Sequence, residues 1–282
     1  MAGAEEPLAR ALIRAGGEEN TRRAVGIASL AGTPALLADA YFAQAELATQ
    51  KGDMAGALVI RLQDLDIRRN LLAADPRNAS LRSNMALVSK RVGGLLISLG
   101  RLEEAYAYYA AALGIERAWV AAEPLSVEAR TALSFSNSDI GFIRMQQGRM
   151  AEALAHYRET VTLREALFAA DGKNYRTRVV LASACWRTGE LLVKMKRTRE
   201  AVPLLERAEA LMTGPGTPAV ETVLQREELA TVRRTMGLAL GLKGRALVEW
   251  ARTEFARLAL EAPGREDLRF RLLEIDRELR KR

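Results

Sequence analysis

Gly148-Arg149-Met150-Ala151-Glu152-Ala153-Leu154-Ala155-His156-Tyr157-Arg158 is the stretch whose reading decides the fold. Its leading glycine has counterparts at Gly52, Gly100 and Gly244, with Lys196 in the remaining place, so the register repeats every 48 residues. Five residues after each mark stand Ala57, Ala105, Ala153 and Ala201. Seven residues before it stand Gly93, Gly141, Gly189 and Gly237, with Ala45 leading. Small residues fixed on both sides of a turn are what two helices need where their backbones cross closely. A period kept over most of a chain means that each unit packs on its neighbours, as in a solenoid.

Working outward from that stretch gives one unit, residues 126–173. Ser126, followed by Val127-Glu128-Ala129, places a polar cap and an acid at a helix start. Leu133, Ile140 and Ile143 then recur at helical spacing up to Gln147, and Gly148 suits the left-handed conformation that ends helices. A second helix carries Met150, Ala153, Leu154, Tyr157, Val161 and Leu167 on one stripe and closes near Ala170-Asp171-Gly172. Corresponding second helices close at Ala74-Asp75-Pro76 and Ala122-Glu123-Pro124, where proline cannot continue a helix. The expected fold is therefore all-α, an α-solenoid of antiparallel hairpins with about five repeats. Its units span residues 30–77, 78–125, 126–173, 174–220 and 221–264, together forming an array over 35–264. Residues 1–34 are expected to form N-terminal capping helices, and 265–282 a charged C-terminal helix. The fifth unit drifts, with Glu249 where the others place alanine, as a capping repeat must when it turns a face to water. Thr213-Gly214-Pro215-Gly216-Thr217-Pro218 reads as a connector, since it lacks the lysine and hydroxyl of a phosphate-binding loop.

Composition narrows the function. Half of the 282 residues are apolar and 5% aromatic, which suits a helical core built on alanine and leucine. No apolar run reaches the length of a membrane-spanning helix, and the acidic N-terminus does not read as a secretory signal. One cysteine excludes an internal disulfide and is compatible with the cytoplasm. With Cys185 and His156 alone, a zinc site of sulfur and nitrogen ligands is excluded. Cys185 falls on an inward position and reads as a small buried hydrophobe; His156 sits where other units place Ile60, Tyr108 and Leu204. No catalytic constellation, cofactor motif or metal set is found, so the chain reads as non-catalytic, with no cofactor. The net charge of +7 comes from arginines scattered through every repeat. Basic and acidic residues alternate in the tail, a pattern expected of a solvated helix with i, i+4 pairs.

The spacing of glycine, then glycine, then alanine resembles the tetratricopeptide repeat, with Gly141, Ala153 and Tyr157 on its small, small and bulky positions in one unit. Gly93, Ala105 and Tyr109 repeat them in the preceding unit. The standard unit is shorter, so both helices here should be longer by about one to two turns. Stretches such as Leu37-Ala38-Asp39-Ala40-Tyr41 and Leu163-Arg164-Glu165-Ala166-Leu167 resemble the long arrays that follow bacterial serine/threonine kinases. No His-Arg-Asp catalytic loop is present in this chain.

The resemblance implies a right-handed solenoid whose first helices line a concave groove for a protein or peptide partner, and a regulatory or sensory place beside a bacterial serine/threonine kinase. The register places Phe42, Gln50, Lys90 and Ser138 on that face. Phe142, Trp186, Glu190, Lys194 and Arg234 continue it, and Phe142, Trp186, Glu190 and Lys194 are expected to converge. Whether Phe42, Phe142 and Trp186 anchor a ligand or pack between helices stays open in the sequence. The paired lysine and asparagine of the carboxylate-binding variant are missing, so no C-terminal carboxylate ligand is expected. The alternative is a nucleic-acid-binding helical repeat using the basic surface. It is disfavoured, because the inner set Phe42, Lys90, Ser138, Trp186 and Arg234 forms no legible code. No membrane contact is expected, and the sequence is silent on oligomeric state.

Overall fold

The computed structural model describes residues 2–214 and 222–281, and among these the chain is helical, with no strand. It divides into two compact units, Met1–Gln147 and Gly148–Arg282.

The first unit contains α1 (Ala2–Ala15), α2 (Glu18–Leu30), α3 (Pro34–Gln50), α4 (Met54–Ala74), α5 (Ala79–Ser98), α6 (Leu102–Ala122) and α7 (Val127–Gln146). The second contains α8 (Met150–Ala170), α9 (Tyr175–Lys194), α10 (Thr198–Thr213), α11 (Val223–Ala239), α12 (Arg245–Glu261) and α13 (Glu266–Arg280). Helices α5 to α9 run 20 or 21 residues, the extra length that the 48-residue period requires.

The turns fall where the register puts them. Gly52, Gly100 and Gly148 have φ of 82°, 75° and 75°, and Lys196 takes the same left-handed conformation with φ 60°. Caps set the starts: the Asn78 and Ser126 side chains accept from the amides of Leu81 and Ala129, and the Asp53 carboxylate accepts from Gly56. The fifth turn departs from the register. Here the left-handed residue is Gly241, and Gly244 closes a 3-10 turn, Gly241–Gly244. Gly244 is small for another reason: a Cβ there would stand 2.2 Å from the Gly237 carbonyl oxygen, so two backbones touch.

The second small position also sits at helix crossings. A Cβ on Gly93 would lie 2.5 Å from the Tyr109 ring, and one on Gly189 would lie 2.7 Å from Leu205 Cγ. Tyr109 and Leu205 are themselves 48 residues apart, twice over, so one packing device is reused.

The ends are built as caps. Ala9, Ala24, Ala28, Leu36 and Ala40 form a buried cluster joining α1 and α2 to α3. At the other end α13 inserts Leu268 and Ile275 into a core with Val248, Phe255 and Leu258. Its alternating charges are not the solvated i, i+4 set that the sequence suggests. Glu274 and Glu278 pair with Arg234 of α11, Asp276 pairs with Arg252 of α12, and Arg271 approaches Glu227 of α11. Packing on two neighbouring helices offers these side chains partners that a lone helix does not. The expected connector at 213–218 lies mostly outside the described residues.

Candidate functional site

Each unit has its own cavities where the odd-numbered helices lie side by side. In the second unit a cavity of about 240 Å³ opens between α9 and α11, with the end of α10 as part of its floor. Val179 and Ala182 of α9, Leu211 and Met212 of α10, and Val232 of α11 make it apolar. Trp186 forms one wall, held by a hydrogen bond of 3.3 Å from its Nε1 to Thr235 Oγ1. Tyr175 stands at the mouth, its hydroxyl accepting from Gln225 Nε2 at 2.5 Å. The polar rim holds Glu227, which faces Arg265 and Arg271, and Glu228, whose pKa is raised by desolvation and then by the charge of Glu227. Arg187 is the cation that opposes this rise.

In the first unit, a cavity of about 400 Å³ is lined by α1, α3, α4 and α5, with Phe42 on its floor. A neighbouring one of about 410 Å³ is bordered by Glu46, Arg61, Lys90 and Tyr109. Between them runs a buried ionic network. Asp64, fully buried, accepts from Arg61 at 3.2 Å and from Arg68 at 2.6 Å. The two arginines reach on to α3, Arg61 to Glu46 at 2.7 Å and Arg68 to Asp39 at 3.0 Å. The Arg61 guanidinium also stacks 4.1 Å from the centroid of the Phe42 ring.

The residues expected on the inner face have varied surroundings. Phe42 and Trp186 line cavities of different units. Lys90 also lines one, but its ammonium is bound to the buried Glu116 at 2.7 Å. Glu190 and Lys194 pair with each other at 3.1 Å, and Arg234 is held by Glu274 and Glu278. Ser138 is buried, Phe142 half-buried and Gln50 exposed. Phe142 belongs to the first unit, whereas Trp186, Glu190 and Lys194 belong to the second. Sequence reasoning missed Tyr175 and Glu228 in one unit, and Arg10, Arg14 and Asn84 in the other. The first two sit at or just past helix starts, where a register centred on the turns carries no information. Arg10 and Arg14 lie four residues apart in α1, a spacing visible in the sequence but overlooked where the repeat fades.

No metal-binding group of histidine, cysteine and carboxylate side chains occurs among the described residues. Cys185 is fully buried, and burial, followed by the charge of Glu165, pushes its thiol up to about 12. A thiol so placed stays protonated and does not serve as a nucleophile. His156 is half-buried on α8. No helix among the described residues is long and apolar enough to cross a membrane.

The family model of the tetratricopeptide repeat matches residues 91–118, the adjoining parts of α5 and α6. No curated protein matches the chain in sequence. Solved structures do match in fold. BtubC (BKLC) from P. vanneervenii superposes with a TM-score of 0.59 at 19% identity, covering 90% of this chain and 92% of that one. The apo form of RapI gives 0.64 at 13% identity, covering 93% and 87%. A Signal Transduction ATPase with Numerous Domains from Pyrococcus horikoshii, which has a tetratricopeptide repeat sensor, gives 0.65 at 16% identity, covering 94% of this chain and 38% of that one. Residues 91–118 thus match the tetratricopeptide repeat, and the chain shares the hairpin-repeat fold of these helical structures.

Proposed function

We propose that this protein is a non-catalytic interaction scaffold that holds a peptide or a segment of a partner protein on the face formed by the odd-numbered helices of its second unit. The observation that carries the reading is the Trp186 cavity. An aromatic wall fixed by Thr235, an apolar floor and a charged rim are what an anchoring side chain and its flanking polar groups need. A tetratricopeptide-type fold supports protein or peptide partners. One structure of this fold, a Rap protein, is complexed with competence and sporulation factor, at 15% identity and a TM-score of 0.55. A regulatory or sensory role beside a bacterial serine/threonine kinase is the finer form of the proposal, supported by the resemblance of the long repeats to kinase-associated arrays.

The test is Trp186→Ala against a partner recovered from the source organism. A buried aromatic anchor carries about 2 kcal/mol, so affinity should fall about thirtyfold. Arg158→Ala, which removes an exposed pair with Glu200, should leave binding nearly intact. A melting curve accompanies each variant. If Trp186→Ala lowers stability while binding per folded molecule is unchanged, the tryptophan is a packing residue and this site is wrong. The nucleic-acid alternative has one observation in its favour, since residues 148–282 hold 26 Lys and Arg against 19 Asp and Glu, the whole +7 excess. Salt-sensitive binding of single-stranded RNA without any peptide binding would favour it.

A further inference from the structure

We propose that the α1–α3–α5 cavity of the first unit docks an acidic segment of a partner protein, pairing a carboxylate with Arg10 and Arg14 and seating an apolar side chain against Phe42 and Leu87. This rests on the scaffold reading and adds the chemistry of the partner.

The argument starts from charge. Arg10 and Arg14 are both exposed and line the same cavity, one helical turn apart on α1. Neither has an ion-pair or hydrogen-bond partner among the described residues. Two like charges at this spacing repel, and no carboxylate among the described residues forms an ion pair with either. The third cation of the cavity, Arg68, is already committed to Asp64 at 2.6 Å and Asp39 at 3.0 Å. Pairing Arg68 with these two acids leaves the arginines of α1 as the free charge of the site. The excess is local: residues 1–147 hold 16 Lys and Arg and 16 Asp and Glu, so no general basicity explains it.

The rest of the lining tells what kind of anion fits. Ile13, Leu36, Phe42 and Leu87 offer an apolar surface, and Leu87 is 41% exposed although it is a large hydrophobe. Asn84 of α5 is half-buried, and its amide also lacks a partner among the described residues. A free amide has both a donor and an acceptor, which is what an extended main chain can use. A phosphodiester strand suits this place less well, because it would set a row of charges beside the Asp39 carboxylate, whose side chain is 48% exposed. Arginine forks pair carboxylates bidentately, so an Asp or Glu side chain next to an apolar residue satisfies both halves of the cavity.

The experiment is selection of a displayed random 12-residue peptide library on the full chain, followed by affinities of a synthetic representative. The selected peptides should be rich in Asp or Glu within about three residues of a large apolar side chain. Binding should weaken tenfold or more in Arg10→Glu/Arg14→Glu, and equally when the acidic residue of the peptide becomes its amide. Arg10→Gln/Arg14→Gln stands in if the double reversal melts lower than the wild type. Neutral peptides, or acidic peptides indifferent to both arginine pairs, would overturn the inference. If those peptides are nevertheless lost in Trp186→Ala, the scaffold reading survives it. A library that yields no binder to the wild type overturns both. Polyuridylate bound through Arg10 and Arg14, with acidic peptides inactive, would assign the arginines to phosphate and also overturn the inference.

Discussion

Gly93 shows how much a single position decides. Its missing side chain lets α5 lie directly on the Tyr109 ring and within 3.4 Å, for a notional Cβ, of the Ala105 carbonyl. Tyr109 is buried, so its ring can yield only by giving up its own packing. Replacing Gly93 by alanine gains about 1 kcal/mol of helix propensity but overpacks the crossing, which costs about 1–3 kcal/mol. The expected outcome is a lower melting temperature with the helical signal at room temperature unchanged. A higher melting temperature for Gly93→Ala would show that the helices can separate without penalty. Gly100, seven residues on, is different. Its φ of 75° is the requirement, and a Cβ there would meet no atom within 4 Å. The two glycines look alike in the sequence, and their spacing from the turn is what told them apart.

At the scale of elements, the pairing of α3 with α4 depends on more than apolar contact. Asp64 lies wholly inside, between two arginines that each continue to an acid on α3. Burial disfavours its charge, and the two guanidinium groups oppose that effect. Removing the carboxylate would leave Arg61 and Arg68 buried with their central partner gone. Asp64→Ala should therefore cost about 3–5 kcal/mol in chemical denaturation. The double variant Arg61→Met/Asp64→Leu should lose less than Asp64→Ala alone, since a well-packed apolar pair can replace a buried ionic one. A double variant that is the less stable of the two would mean that the network contributes more than the desolvation it suffers. None of this was legible in the register. Asp39 and Glu46 fall on the inner face by spacing, and only the fold shows that their carboxylates are taken up by arginines of the next helix.

For the whole molecule, the 48-residue period carried the architecture, and the ends carried the exceptions. The C-terminal helix reads as a charged, solvated tail, yet it closes the core of the second unit with Leu268 and Ile275. Fully burying two such side chains is worth about 3–6 kcal/mol together. Truncation after Pro263 should therefore lower the thermal stability of the second unit sharply and expose Val248, Phe255 and Leu258, detectable by dye binding. A truncated chain that melts like the full one would show α13 to be a dispensable appendage.

The sequence by itself determined the helical class, the hairpin unit, four of the five turn positions and the place of the small residues, because each depends on local backbone chemistry repeated at fixed spacing. It also set Trp186 among the candidates for the inner face. Tertiary structure alone decided which inner residues keep a free polar group. Lys90 and Arg234 share the register with Trp186, but each is bound by a charge brought near through packing, whereas Glu190 and Lys194 pair with each other along α9. Arg10 and Arg14 lie in a helix where the repeat fades, and no ion pair among the described residues takes them up. Periodicity records which face a residue occupies; the partners it meets there come from other helices, tens of residues away along the chain.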